Sequence, residues 1–198
     1  MKGRASPPPH EVRILGGQWK RTRLPVADRP GLRPTPSRVR ETLFNWLGHD
    51  LAGWRCVDAF AGTGALGLEA ASRGATEVLL VERDPGLVAA LNQIVGRLKA
   101  AAVRVERGDG LAVLRQRAGQ QLDAVFLDPP FADGQNDALV TDALRAARQA
   151  VHEQHGLVYL EAPRPWLEDE LARLGLQVHR KGQAGAVAFH LLRPLPAQ

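Results

Sequence analysis

Residues 57–67 read Val57-Asp58-Ala59-Phe60-Ala61-Gly62-Thr63-Gly64-Ala65-Leu66-Gly67. A short apolar run meets a glycine turn, and a helical pattern begins at once. Such a strand–loop–helix junction lets backbone approach a ligand at a helix N-terminus, and it presupposes a parallel sheet whose ligands sit at the carboxyl ends of the strands. Gly62, Gly64 and Gly67 satisfy G-x-G-x-x-G, a pattern shared with dinucleotide oxidoreductases and weakly specific by itself. Three features turn it away from NAD. Asp58 lies four residues before Gly62, where a fixed negative charge opposes a pyrophosphate and suits a ligand with a cationic amino-acid end. No second nucleotide-binding half follows, and 198 residues is short for a nicotinamide enzyme.

From Trp54 onward, strand-like and helix-like segments alternate, the pattern of a parallel sheet covered by helices. Strands are expected at Arg55–Phe60, Glu77–Glu82, Val103–Gly108, Leu122–Asp128 and Gly156–Glu161. Helices fall between them at about Ala65–Arg73, Pro85–Leu98, Gly110–Arg117 and Asn136–Gln149. After Trp166–Leu174 come two more strands, Leu176–Arg180 and Ala186–Leu192. The turn Gly182–Gly185 between them is too short for a parallel crossover, so they pair antiparallel.

Acids recur where this sheet would open. Glu82 closes the second strand 20 residues after Gly62, a place from which a carboxylate accepts both hydroxyls of a ribose. Asp109, between Gly108 and Gly110, closes the third, within reach of an adenine amino group. With Asp58 and Asp128 these make four strand-end carboxylates, which are costly to bury unpaired. Any one of them can be a helix N-cap, and Asp84 before Pro85 reads as one. Together they suit a nucleoside with a positively charged end. S-adenosyl-L-methionine (adenine, ribose, sulfonium and α-amino group) fits. Phe60, Ala61, Gly62, Thr63 and Gly64 of the loop, with Arg83 and Gly110 beside the acids, complete the expected cofactor contacts.

Leu127-Asp128-Pro129-Pro130-Phe131 ends the fourth strand. Adjacent prolines fix φ and remove two amide donors, leaving carbonyls that only accept. Asp128, preceding a proline, is pushed extended and aims its carboxylate out of the sheet end. The Asp128 carboxylate and the Pro129 carbonyl form a two-acceptor clamp for a planar NH2 group, and Phe131 offers a ring on which a flat base stacks. A heteroaromatic amine is a poor nucleophile because its lone pair is delocalised. Accepting both N–H bonds holds it in place, and Asp128 stabilises the positive charge that develops on nitrogen. The target base has to leave its stack to enter, and no metal is needed. A rigid proline turn ending a buried strand is the plainer explanation, and it fits poorly after a glycine loop and three acids.

The first quarter of the chain is different in character. Residues 1–10, with Pro7-Pro8-Pro9, read as a flexible leader; residues 11–53 as a hairpin-and-helix unit; residues 54–198 as the main domain. Glu11–Leu15 and Gln18–Leu24 read as strands about Gly16-Gly17, with Trp19, Arg21 and Arg23 on one face. Thr35 is expected to cap a helix that begins with Pro36 and runs to about Gly48, its apolar stripe formed by Val39, Leu43, Trp46 and Leu47. Residues 1–53 hold ten Lys and Arg against four acids, a net of +6, whereas the remainder nets −1. A neutral body with a basic appendage suits a polyanion such as nucleic acid, although a solvated basic tail explains the charge equally well. Arg13, Trp19, Lys20, Arg21, Arg23, Arg33 and Arg38 are the candidate contacts. The absence of an apolar leader, of any run of about 18 apolar residues and of a partner for the single Cys56 points to a cytoplasmic protein without a membrane span.

These motifs resemble the RsmD family, bacterial methyltransferases of guanine N2 in 16S ribosomal RNA. The likeness runs from Val12 to about Leu192. It is carried by Arg13–Lys20, by the block Arg33–Leu47, by Asp58–Ala70 and by Asp128–Phe131. The resemblance implies a Rossmann-like class I methyltransferase, α/β, with a seven-stranded, mostly parallel sheet and an antiparallel last strand. It also implies S-adenosyl-L-methionine as cofactor, catalysis by Asp128, Pro129 and Phe131, and 16S rRNA in the small ribosomal subunit or its assembly intermediate as partner of a monomer. Thr63 stands where the family often has Ser, and Asp58-Ala59 where Asp-Leu is commoner. Three rivals remain: an adenine-N6 methyltransferase on RNA or DNA, a silent ribosome assembly factor, and a nicotinamide oxidoreductase. His152-x-x-His155 has helical spacing but no matching Cys or acid, and Ser37 and Ser72 lack a hydrolase context.

Overall fold

In the computed structural model, residues 11–27, 29, 32, 34–130 and 137–196 are described. The expected leader, Arg33 and Phe131 lie outside these residues. The β-branched runs of the main domain become β3 (Arg55–Asp58), β4 (Glu77–Glu82), β5 (Val103–Arg107), β6 (Ala124–Leu127), β7 (Leu157–Ala162), β8 (Leu176–Ala184) and β9 (Val187–Pro194). They form one sheet of order β5-β4-β3-β6-β7-β9-β8. All pairs are parallel except those of β9, which is inserted antiparallel between β7 and β8. β6 and β7 are buried at every position, as strands covered on both faces must be. The reversal of strand order between β3 and β6 opens a crevice at the carboxyl ends of these strands.

Helices cover both faces. On one lie α2 (Ala65–Ser72) and α3 (Pro85–Leu98); on the other lie α4 (Gly110–Gln116), α5 (Asp137–Ala150) and α6 (Glu168–Ala172). α2 is buried all round, so it needs a second cover besides the sheet. The N-terminal unit supplies it. β1 (Glu11–Arg13), β2 (Arg23–Pro25) and α1 (Ser37–Leu47) contribute Val12, Ile14, Leu24, Val39, Leu43, Phe44 and Leu47 to the core cluster that holds α2 and α3. Each such side chain removed from water contributes about 1.5–3 kcal/mol.

β8 runs on to Ala184, through most of the expected Gly182–Gly185 turn, because these residues pair with β9, and two expectations in the N-terminal unit change as well. The hairpin is shorter than its alternation suggests, and residues 16–21 form bends and turns rather than strand. The amides of Leu15, Gly16, Gln18 and Trp19 are captured by α2, while those of Lys20 and Arg21 bond the carbonyls of Gly17 and Ile14. Leu15 N and Gly16 N donate to the Glu69 carboxylate at 2.7 and 2.8 Å, Gln18 N donates to the Ser72 carbonyl at 2.7 Å, and Trp19 N donates to Ser72 Oγ at 2.9 Å. Trp19, Arg21 and Arg23 therefore do not share a strand face. At α1, Pro36 occupies the N-cap and no side chain caps the helix. Thr35 is turned inward, as described below. Among the described residues no helix is long and apolar enough to cross a membrane.

Candidate active site

The glycine loop is shaped by contacts on all sides. Gly64 takes φ +74°, a conformation that side chains resist, and starts α2 from it. Three residues on, a Cβ at Gly67 would collide with Leu80 of β4, so this glycine sets how closely α2 can lie on the sheet. Glu82, at the end of β4, pins the loop from the side. Its Oε2 accepts from Gly62 N at 3.0 Å and its Oε1 from Asp84 N at 2.8 Å.

Asp58 lies beneath the loop and is 1% exposed. Its Oδ2 accepts from Gly67 N at 3.0 Å, whereas its Oδ1 has no hydrogen-bond partner among the described residues. Burial pushes the carboxyl up to about 7, against the Gly67 amide, which favours the charged form. A buried carboxylate oxygen left without a donor is costly, and a cationic ligand group restores the missing partner.

A cavity of about 800 Å³ opens above these residues, within the size range of nucleoside-sized ligand sites. From the glycine junction, Asp58, Phe60, Ala61, Gly62 and Thr63 line it; Glu82 and Arg83 come from the end of β4, Asp109 and Gly110 from the end of β5. Gly64 is not among the lining residues; its positive φ turns the loop into α2. Asp109 also caps α4, accepting from Ala112 N at 2.8 Å, and Asp84 caps α3 through Leu87 N at 2.9 Å, as read for Asp84. Both helices thereby point their N-termini toward the cavity rim.

Asp128 and Pro129, at the end of β6, form the floor with Glu161 of β7 and Thr35 of the segment before α1. Thr35 lines the same floor, its hydroxyl favouring the charged form of both carboxyls, and Tyr159 Oη donates to Glu161 Oε1 at 3.0 Å. Burial, reinforced by the neighbouring Glu161 and Asp58, lifts Asp128 well above the ordinary carboxylate range. Burial also raises Glu161, while the nearby Thr35 hydroxyl, the bond from Tyr159 and the charge of Arg40 hold it down. Sequence reasoning missed Thr35, Tyr159, Arg40 and Glu161. One signal was available: Tyr159 and Glu161, two apart on a strand, share a face, and Glu161 is a fifth acid at a strand end.

Arg13, Lys20, Arg21, Arg23 and Arg38 expose their side chains on the N-terminal unit, and Trp19 is half-buried against the core. Arg40, by contrast, is 1% exposed, donating to the Thr35 and Arg13 carbonyls at 3.2 and 2.9 Å. His152 and His155 stack at 3.5 Å on the surface, and Cys56 is a buried thiol raised by its burial.

The family model described as conserved hypothetical protein 95 matches residues 12–193. Ribosomal RNA small subunit methyltransferase D of Escherichia coli K12 is 41% identical over 186 residues, 91% of this chain and 89% of that protein. The protein of the same name from Haemophilus influenzae is 44% identical over 124 residues, 61% of this chain and 64% of that one. Among solved structures, Escherichia coli yhhF superposes with a TM-score of 0.79 at 34% identity, covering 94% of this chain and 99% of that one. The strand order, the glycine-loop cavity and these matches agree: the chain belongs to the RsmD family, that of the ribosomal RNA small subunit methyltransferases D.

Proposed function

We propose that the chain transfers a methyl group from S-adenosyl-L-methionine to the exocyclic N2 amine of a guanine in 16S ribosomal RNA, acting as a cytoplasmic monomer on the small subunit or its precursor. The observation that carries this reading is the Asp128 carboxylate set beside Pro129 on the floor of an acid-lined cavity that holds an unpartnered Asp58 oxygen. The residues fit the cofactor. Asp58 Oδ1 offers the acceptor that an α-amino group requires, the acids of β4 and β5 offer acceptors for ribose and adenine, and Phe60 offers an apolar wall. When bound, S-adenosyl-L-methionine supplies an electrophilic methyl on a sulfonium.

The protein's share is positioning and electrostatics. Asp128 and the Pro129 carbonyl accept the two N–H bonds of the amine and fix its lone pair toward the methyl-bearing side of the cavity. As positive charge grows on nitrogen, Asp128 lies close to it in a site shielded from water, where a charge acts more strongly than in solution. The exposed cations of the N-terminal unit, with Arg33, hold the phosphate backbone and give binding its salt dependence.

Incubation with methyl-labelled cofactor and small-subunit RNA, followed by mass-spectrometric mapping, tests the assignment. The expected product is N2-methylguanosine at one position. N6-methyladenosine would replace this reading by its nearest rival, and cofactor binding without any methylated nucleoside would make the chain an assembly factor.

A further inference from the structure

The cavity floor carries two carboxylates where methyl transfer to an amine needs one. β6 and β7 are parallel and Leu127 pairs with Leu160, so Asp128 and Glu161 follow as neighbours at the carboxyl ends of the two strands. Both line the cavity. Each lies two residues beyond an aromatic of the core, Phe126 or Tyr159, and so belongs to the sheet face that α1 covers. Glu161 is 3% exposed, and Tyr159 Oη donates to its Oε1 at 3.0 Å. A carboxylate accepts about four hydrogen bonds, so this bond fixes the group and leaves acceptor sites for a ligand. Arg40, the neighbouring cation, directs its own donors to the Thr35 and Arg13 carbonyls at 3.2 and 2.9 Å and lies 3.7 Å from Glu69. Its charge favours the ionised form of Glu161. Asp128 and the Pro129 carbonyl account for both N–H bonds of the reacting amine, which leaves Glu161 for a different donor. Guanine has one on the same edge, N1–H beside the N2 amine, whereas adenine sets a bare N1 lone pair beside its N6 amine. Enzymes that take a base out of its stack read it along this Watson–Crick edge.

We propose that Glu161 is a specificity-determining residue, accepting the N1–H of the target guanine while Asp128 and Pro129 hold its N2 amine. This inference rests on the function proposed above. An adenine seated by its amine brings the N1 lone pair against a buried carboxylate, and neither group has a hydrogen to offer. A buried acceptor left facing an acceptor is worse than a contact merely missing, so Glu161 rejects adenine as well as holding guanine.

The probe is 2-aminopurine, which keeps the amine at C2 but carries a lone pair at N1 in place of N1–H. Small-subunit RNA with guanine or 2-aminopurine at the methylated position is compared by kcat/KM, using methyl-labelled cofactor. The wild type should prefer guanine by about 10²-fold, the loss that follows when a buried charged acceptor is left unpaired. Glu161→Gln places an amide there, which accepts from N1–H or, turned over, donates to a bare N1. The preference should then fall below about tenfold, as the guanine RNA slows and the 2-aminopurine RNA quickens. The ratio is the readout because a merely structural role slows both RNAs alike, and the reactivity of each base is common to both proteins. A ratio unchanged in Glu161→Gln overturns the proposal. If that variant does not fold, the wild type decides alone, and a preference under about tenfold overturns it. A wild type that leaves the guanine RNA unmethylated refutes the function and this inference with it. Methylation of guanine with an unchanged ratio refutes the inference only.

Discussion

Glu69→Ala should be among the most destabilising single changes in this protein, because one buried carboxylate joins two parts of the chain. Glu69 is fully buried in the middle of α2 and accepts from Leu15 N, Gly16 N and Arg73 Nε at 2.7, 2.8 and 2.8 Å. Arg40 Nη1 lies 3.7 Å away on the α1 side, itself buried. Removing the carboxylate strands two guanidinium groups that are 2% and 8% exposed, and breaking a buried pair from one side costs about 3–5 kcal/mol. Each stranded amide adds about 1–3 kcal/mol before relaxation. The losses overlap, since the hairpin can pull away and rehydrate, so about 4 kcal/mol is the expected total. For a chain of this length that lowers Tm by about 8–16 °C. Differential scanning calorimetry measures it, and limited proteolysis at residues 15–22 reports whether the hairpin has come off α2. Ser72→Ala, which loses Ser72 Oγ to the Gly16 carbonyl at 2.6 Å and its acceptance from Trp19 N, should couple to Glu69→Ala in a double-mutant cycle. A fall in Tm of less than about 3 °C, roughly 1 kcal/mol, would refute the reasoning and show that the hairpin is held by its apolar side chains alone.

Asp128→Ala should lower kcat by about 10²–10³ with cofactor affinity near normal by calorimetry; joint loss of both would point to misfolding or to a different role. Cofactor affinity should rise with pH. Asp58 titrates at about 7 in the cofactor-free protein, and a cationic ligand prefers its ionised form, so Kd should be about tenfold weaker at pH 6 than at pH 8. A flat profile by isothermal calorimetry would mean that Asp58 does not meet the charged end of the ligand. Replacing the exposed Lys20, Arg21 and Arg23 by Ala should weaken rRNA binding and reduce the slope of log K against log salt by about two units. Unchanged affinity and slope in filter binding would remove the hairpin from the contact surface.

The sheet was legible because its signals are local. Alternating β-branched runs and helical periods place β4 and α3 to the residue, and the short turn before Val187 correctly makes the last strand antiparallel. Asp84 reads as a cap because its proline neighbour announces a helix start. The hairpin was over-extended because α2 takes the Gln18 and Trp19 amides, while those of Lys20, Arg21 and Thr22 close turns within the hairpin. Thr35 was misread because Thr followed by Pro suits a cap, whereas in the fold Pro36 takes the N-cap position and Thr35 is buried in the cavity wall. Arg40 looks from its place in the sequence like an ordinary helix-surface residue, and it becomes a core residue only because Glu69 and two carbonyls wait inside.

By itself, then, the sequence determined what neighbouring residues impose on one another: the order of strands and helices, the glycine junction, the Asp-Pro-Pro strand end and the basic first quarter. Tertiary structure decided which distant groups share one low-dielectric space. Thr35, Asp128, Tyr159 and Glu161 come from three separate stretches of chain, and the three that titrate are shifted by burial and by each other. No pattern along the chain encodes that, because desolvation and repulsion between carboxyls depend on closeness in space after the sheet has closed.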